Sequence, residues 1–264
     1  MTPEQFYSSP PWAGGRGGIR MGLHPIRTDE WLIGPITAEE RDEKLRLLRD
    51  QRDVVLRAEP DSGGGQRELA TAVAAALHTT LPNAGLPIEA ASLLVYDDLC
   101  LMQRRGDRYV LTAACVCAPS YWELPDKIGK PLDAIHARVP SLNDRIGSQM
   151  QRFFDALPAA QVFERRNWSI HPAEELYQPE YDGWARTKAF DRLFVRSERQ
   201  TLRRLSAESI AFTIRVTVVP LASIQQFPSA AADLLLAFDK MSPIDRENVA
   251  LDRYVDELKR VVSS

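Results

Sequence analysis

Alternation of apolar and polar positions along the chain separates helical from extended stretches. Thr37-Ala-Glu-Glu40 has capping-box spacing and opens a charged helix to about Leu56, and Asp61-Ser-Gly-Gly-Gly65 breaks the chain before an alanine-rich helix, Gln66 to His78. Two extended runs follow, Leu99 to Gln103 and Tyr109 to Cys117, and the Gly-Asp pair in Arg104-Arg-Gly-Asp-Arg108 marks the hairpin turn between them. After Pro119 the pattern turns helical, with Pro131 suited to a first turn and Leu142 to Leu157 periodic in apolar residues. Gln161 to Ile170, Arg192 to Arg196 and Ile210 to Leu221 read as extended, and Ser197-x-x-Gln200 reads as the cap of a short helix between the last two. Ser229 to Phe238 and Pro243 to Val262 read as helices.

Two strands, a helical crossover and three more strands predict an α+β fold: a five-stranded antiparallel sheet with helices on one face and helical extensions at both ends. That is the outline of a PAS-type domain, although other α+β folds share the element order. Such an arrangement leaves a ligand pocket between sheet and helices, and His136 falls in the crossover facing it. Residues 1–18, with Pro10-Pro11 and Gly14-Gly15-Arg16-Gly17-Gly18, read as a flexible arm, and residues 19–264 as one domain.

The chain has 264 residues, 44% of them apolar, and a net charge of −3, which suits a domain that buries its own core. A mildly acidic balance without a basic block argues against nucleic acid. No apolar run approaches the roughly 20 residues needed to span a bilayer, the amino terminus lacks the apolar core of a secretory signal, and three cysteines point to the cytosol. Cys115 and Cys117 lie two apart in a strand, on one sheet face; the three thiols, Cys100 included, are core filler or metal ligands, and too few for a ferredoxin-type cluster alone.

Three polar segments carry candidate chemistry: 124–140 with His136, Glu164-Arg-Arg-Asn-Trp168, and Arg196-Ser-Glu-Arg-Gln-Thr-Leu-Arg-Arg-Leu205. A neutral imidazole binds iron, and Asp133, one turn earlier, is a candidate to fix its other nitrogen; the alternative is a structural histidine between helices. Read as a helix, the third segment places Arg199 and Arg203 on one side and Gln200 and Arg204 on another, able to pair with carboxylates or simply to form a solvated face. Lys127 and Lys130 flank a glycine before His136. Asn167 could orient a small ligand and Trp168 supply apolar contact, or both could be structural. His24 and His171 are candidates for a pocket rim, His78 for a helix end, and Tyr177, Tyr181 and Trp184 for a channel lining.

Met21-Gly-Leu-His-Pro25 with Trp31, Lys127-Ile-Gly-Lys-Pro-Leu-Asp-Ala-Ile-His136 ending in Val139-Pro140, Arg166-Asn-Trp168, and Arg196 to Leu205 with Phe212-Thr-Ile-Arg215 resemble the heme-dependent oxidative N-demethylase family over roughly residues 20–222. The resemblance implies a PAS-like fold binding heme b and a monooxygenase that uses dioxygen and external electrons to oxidise an amine N-methyl group, with release of formaldehyde. It implies His136 as the iron ligand, Arg199, Arg203, Arg204 and Lys130 as cofactor-binding residues, and Asn167 and Trp168 as catalytic. Arg138 and Ser206-Ala-Glu208 stand where the family tends to have proline, so the substrate, an amine or a related metabolite, does not transfer directly. The chain lacks a flavin or nicotinamide glycine fingerprint, which implies a separate reductase. The alternative is a heme-binding sensor or carrier without turnover.

Overall fold

The structure, a computed structural model, describes residues 1–16, 22–135, 150–159, 161–180, 189–243, 245–246 and 255–263. Its centre is an antiparallel sheet of seven strands in the order β1-β5-β6-β7-β3-β4-β2. Five are long: β3 (Asp98–Arg105), β4 (Arg108–Cys115), β5 (Val162–His171), β6 (Phe194–Arg204) and β7 (Ser209–Pro220). The other two, β1 (His24–Ile26) and β2 (Leu56–Ala58), are edge strands of three residues each, which raises the count from the five read in the sequence. Three residues are too few to show an alternation.

The largest correction concerns Ser197 to Gln200. These residues form no helix; they lie mid-strand in β6, paired on both sides, with Ser197 opposite Trp168 and Thr217 and Gln200 opposite Arg165 and Ile214. Side-chain direction therefore alternates with period two: Arg196, Glu198, Gln200, Leu202 and Arg204 share one face, and Ser197, Arg199, Thr201 and Arg203 share the other.

Helices cover both faces, not one. On the first face lie α1 (Pro3–Tyr7), α2 (Ala38–Asp50), α4 (Gly63–Ala76) and α5 (Pro87–Ser92), α8 (Pro228–Asp239) and the helix Val255–Ser263; α3 (Arg52–Val55) leads into β2. The second face carries the crossover from β4 to β5: a 3-10 turn at Leu124–Asp126, α6 (Leu132–Ile135) and α7, helical over 150–156. The capping box at the start of α2 forms as its spacing predicts: the Glu40 amide donates to Thr37 Oγ1 at 3.2 Å and the Thr37 amide to Glu40 Oε2 at 3.0 Å. In α4, Gly65 permits close approach to β3, because a Cβ there would lie 2.7 Å from Gln103 Nε2. The hairpin turn falls at Gly106, whose φ of 63° suits glycine.

The core is split by the sheet. Leu99, Leu101, Ala113, Cys115 and Ala211 meet Leu47, Leu69, Val73 and Ile88 on the first face, and Cys100, Met102, Tyr109, Leu111, Leu202 and Ile210 meet Leu124, Phe154 and Leu157 on the second. A bulge at Thr112 switches the parity of β4: Met102 pairs with Leu111 but Leu101 with Ala113, so Leu111 and Ala113 point to opposite faces. Residues 1–16, read as an arm, pack at the far end of the first face. Phe6, Tyr7 and Trp12 are buried among Trp168, Val195, Val219, Leu234 and Leu258, and Trp12 Nε1 donates to Ala230 O at 2.9 Å.

Candidate functional site

The alternation of β6 assembles a polar row on the second face. Arg165, Asn167, Ser169 and His171 of β5 stand beside Gln200, Glu198 and Arg196 of β6, and Ser120 joins them from the loop after β4. The hydrogen bonds run in sequence. Arg165 Nε donates to Gln200 Oε1 (2.6 Å), Gln200 Nε2 to Glu198 Oε2 (2.7 Å), the Ser120 hydroxyl to Glu198 Oε1, and Arg196 Nε to Ser120 Oγ (2.8 Å). Each carboxylate oxygen of Glu198 thus accepts one bond and keeps acceptor capacity. Burial pushes the Arg165 and Arg196 guanidiniums below their ordinary range, partly offset by the charge of Glu198.

At the end of this row His171 is fully buried and stacked on Tyr121, with ring centroids 4.4 Å apart. Its tautomer follows from its neighbours. Gln178 Nε2 donates to the carbonyls of Ala173 (3.1 Å) and Glu175 (2.5 Å), so Gln178 Oε1 is the acceptor for His171 Nδ1 at 2.8 Å. For the neutral ring the proton therefore sits on Nδ1, and Nε2 accepts from the Ser169 hydroxyl at 2.8 Å. Beneath the same loops, Asp98 accepts from the amides of Cys117 (2.7 Å) and Ala118 (3.1 Å); burial pushes its carboxyl up to about 6 against the pull of Lys44, those two amides and Arg196. A cavity of about 10 Å³ beside it, lined by Lys44, Tyr96, Asp98 and Leu176, has room for one water.

The residues singled out in the sequence are scattered by this geometry. His136 lies outside the described residues. Arg199 is on the first face, where it serves the fold: Nε pairs with Glu164 Oε2 at 2.5 Å, and its two terminal nitrogens donate to Trp31 O (2.9 Å) and Glu30 O (2.6 Å). Arg203, on that face too, places its guanidinium 4.4 Å from the Trp31 ring centroid. Arg204 is on the second face but closes α7, donating from Nε to Leu157 O at 2.6 Å and from Nη2 to Phe154 O. Lys130 is exposed before α6; Lys127 is buried, with Nζ on Ile135 O at 2.6 Å. Asp133 pairs with Arg108.

Asn167 is exposed and lies directly across from Glu198 in the polar row, whereas Trp168, next in sequence, points to the first face and packs edge-on against Trp12 at 5.0 Å. His24 and His78 are exposed, and Cys100, Cys115 and Cys117 are buried free thiols. Tyr177 packs against the first-face cluster, and Tyr181 and Trp184 lie outside the described residues. Among the described residues no group of three His, Cys, Asp or Glu side chains is placed to hold a metal ion. The members of the polar row not singled out from sequence are Ser120, Arg165, Arg196 and Glu198, and Gln200 was grouped with Arg204 on a helical face. Their signal was the two-residue spacing of 196, 198 and 200, which a helical reading of the segment hides.

A model of the family described as "Haem-dependent oxidative N-demethylase, alpha subunit-like" matches residues 78–260, a span holding His136 and the whole polar row. The chain belongs to this family. No curated protein matches it. Among the described residues of this N-demethylase family member, no helix is long and apolar enough to cross a membrane.

Proposed function

We propose that the chain is a PAS-like heme b protein acting as a monooxygenase of the oxidative N-demethylase type. It takes dioxygen and electrons from a separate reductase, oxidises an N-methyl group of an amine and releases formaldehyde. The family match over residues 78–260 carries this reading. The chemistry of the second face is compatible with it: Phe163, Leu202 and Phe212 offer an apolar surface, and the adjoining row carries two guanidiniums, Arg165 and Arg196, against one carboxylate, Glu198. An apolar macrocycle with two propionates suits such a surface.

Heme, when bound, supplies the oxygen chemistry. His136, following α6, is the residue we assign to the iron. Arg165, beside the apolar residues of the second face, and the exposed Lys130 are the cations we assign to the propionates; the N–H groups of Arg199 and Arg204 serve carbonyls and Glu164. Glu198, oriented by Ser120 and Gln200, accepts the N–H of a protonated amine, and Asn167 across the strand pair adds a neutral donor and acceptor. The free cysteines favour a cytosolic setting.

The test begins with protein from heme-supplemented cells. Wild type should show a Soret band that His136→Ala loses or shifts, and should consume oxygen and release formaldehyde with an N-methylamine and a chemical reductant. Glu198→Gln should raise KM for the amine by about tenfold, the weight of one charged hydrogen bond. A wild type that takes up no heme sinks the reading. Heme binding without oxygen consumption would favour the carrier or sensor instead.

A further inference from the structure

We propose that Cys115 and Cys117 form a two-coordinate site for a single cuprous ion, on the opposite face of the sheet from the polar row and independent of heme. The two thiols stand side by side. Cys115 closes β4, paired with Leu99 on one side and Leu56 on the other, and Cys117 follows two residues later. Two residues of extended chain span about 6.7 Å and return the side chain to the same face. Both cysteines lie in the first-face cluster, 0% and 5% exposed, and the Cys117 thiol donates to the Cys115 sulfur.

The mounting is rigid. The sheet ladder fixes Cys115, the Val116 amide donates to Val55 O at 2.7 Å, and the Cys117 amide donates to Asp98 Oδ1 at 2.7 Å. Lys44 and Cys117 both line the water-sized cavity beside Asp98, so a small space reaches the pair from outside the core. The Lys44 ammonium is itself pinned, on the carbonyls of Ser92, Val95 and Asp97, and among the described residues it meets no carboxylate at salt-bridge distance. Cysteines that only fill space are served by apolar neighbours and have no use for a buried ammonium.

The donor set selects the ion. Structural zinc and iron–sulfur clusters take more ligands than two thiolates, and Cys100, on the opposite face, is out of reach of the pair. Asp98 offers only hard carboxylate oxygens, both already accepting from amides. Two soft sulfurs without a third ligand suit Cu(I), the soft monovalent ion among biological metals. Binding exchanges two thiol protons for one Cu⁺ and leaves the bis-thiolate with a single negative charge. The bond from Cys117 holds the Cys115 thiol below its ordinary range, against burial and with help from Lys44, so Cys115 is the first to release its proton. The same ammonium then offsets the charge of the loaded site.

The test titrates the full-length protein without oxygen, using tetrakis(acetonitrile)copper(I) as the source of metal and bicinchoninate as the competing chelator. Wild type should retain one Cu(I) per chain against the chelator, and its X-ray absorption should show a shell of two sulfurs with no nitrogen or oxygen. Cys115→Ala and Cys117→Ala should each abolish that retention, whereas Cys100→Ala, on the other face, should match wild type. A wild type that gives up its copper to the chelator overturns the proposal. Retention by either Cys115→Ala or Cys117→Ala overturns it too, because the metal would then sit elsewhere. Should an alanine variant not fold, the absorption spectrum of copper-loaded wild type decides alone: a nitrogen or oxygen neighbour, or a third sulfur, overturns the site, and two sulfurs support it.

Discussion

Lys44 sits buried in α2 with its ammonium on the carbonyls of Ser92 (3.3 Å), Val95 (2.9 Å) and Asp97 (2.7 Å), and Arg196 sends one nitrogen to Ala118, Pro119 and Leu176 in the same manner. Asp98 mirrors them, accepting from two amides. Peptide dipoles thus hold much of the buried charge here, and the titration of Asp98 records what that costs. Its carboxyl holds a proton up to about pH 6 in the fold but releases it near 3.9 when unfolded. The fold therefore binds the extra proton in that window, and stability from this group is full below about pH 4 and falls as pH rises towards 6. Asn carries no such ionisation. The unfolding free energy of Asp98→Asn minus that of wild type should grow by about 2 kcal/mol between pH 4 and pH 7 in urea titrations; a pH-independent difference would contradict this. Where a buried charge does meet its opposite, at Arg199 and Glu164, Glu164→Gln leaves the guanidinium without its anion and should cost about 3 kcal/mol, measurable as a lower urea midpoint at pH 7.

At the scale of elements, the turn of the β3–β4 hairpin gives a clean case. A Cβ on Gly106 meets nothing within 4 Å, so Gly106→Ala tests only its φ of 63° and should cost about 1 kcal/mol by thermal unfolding, with the sheet intact. β4, β5 and β7 were legible because valine, isoleucine and aromatic residues recur in them, and β3 because of its apolar run Leu99 to Met102 and the Gly-Asp pair that separates it from β4. β6 was not. Its buried positions include Ser197, Arg199, Gln200 and Thr201, and the polar groups of the last three are satisfied by Glu164, Arg165, Glu198, Thr213 and main chain, so the strand buries polar side chains and shows no apolar alternation. A capping motif and arginines four apart then mimic a helix. The same polarity made the polar row half legible: two of the segments singled out, 164–168 and 196–205, contribute to it, but the side chains that face one another there could be sorted only once the period was known to be two.

For the molecule as a whole, one sheet separates two kinds of work. The first face is closed by Arg199, Trp31 and the aromatic cluster around Trp12, while the second carries the polar row and the flanks of His136. Trp12 is fully buried 218 positions from the carbonyl it donates to, and Trp12→Ala should cost 3–5 kcal/mol in urea unfolding while leaving the secondary structure seen by circular dichroism. A loss below about 1 kcal/mol would mean that this end of the molecule is loosely closed in solution.

The long separation between Trp12 and Ala230 also sets a clock on synthesis. At roughly 5–20 residues per second, a ribosome that has just made Trp12 needs about 10–40 s to make its partner, and through that interval Phe6, Tyr7 and Trp12 are a greasy patch with nowhere to go. Chaperone demand on the nascent chain should therefore centre on its first sixteen residues, long before any cofactor could be loaded.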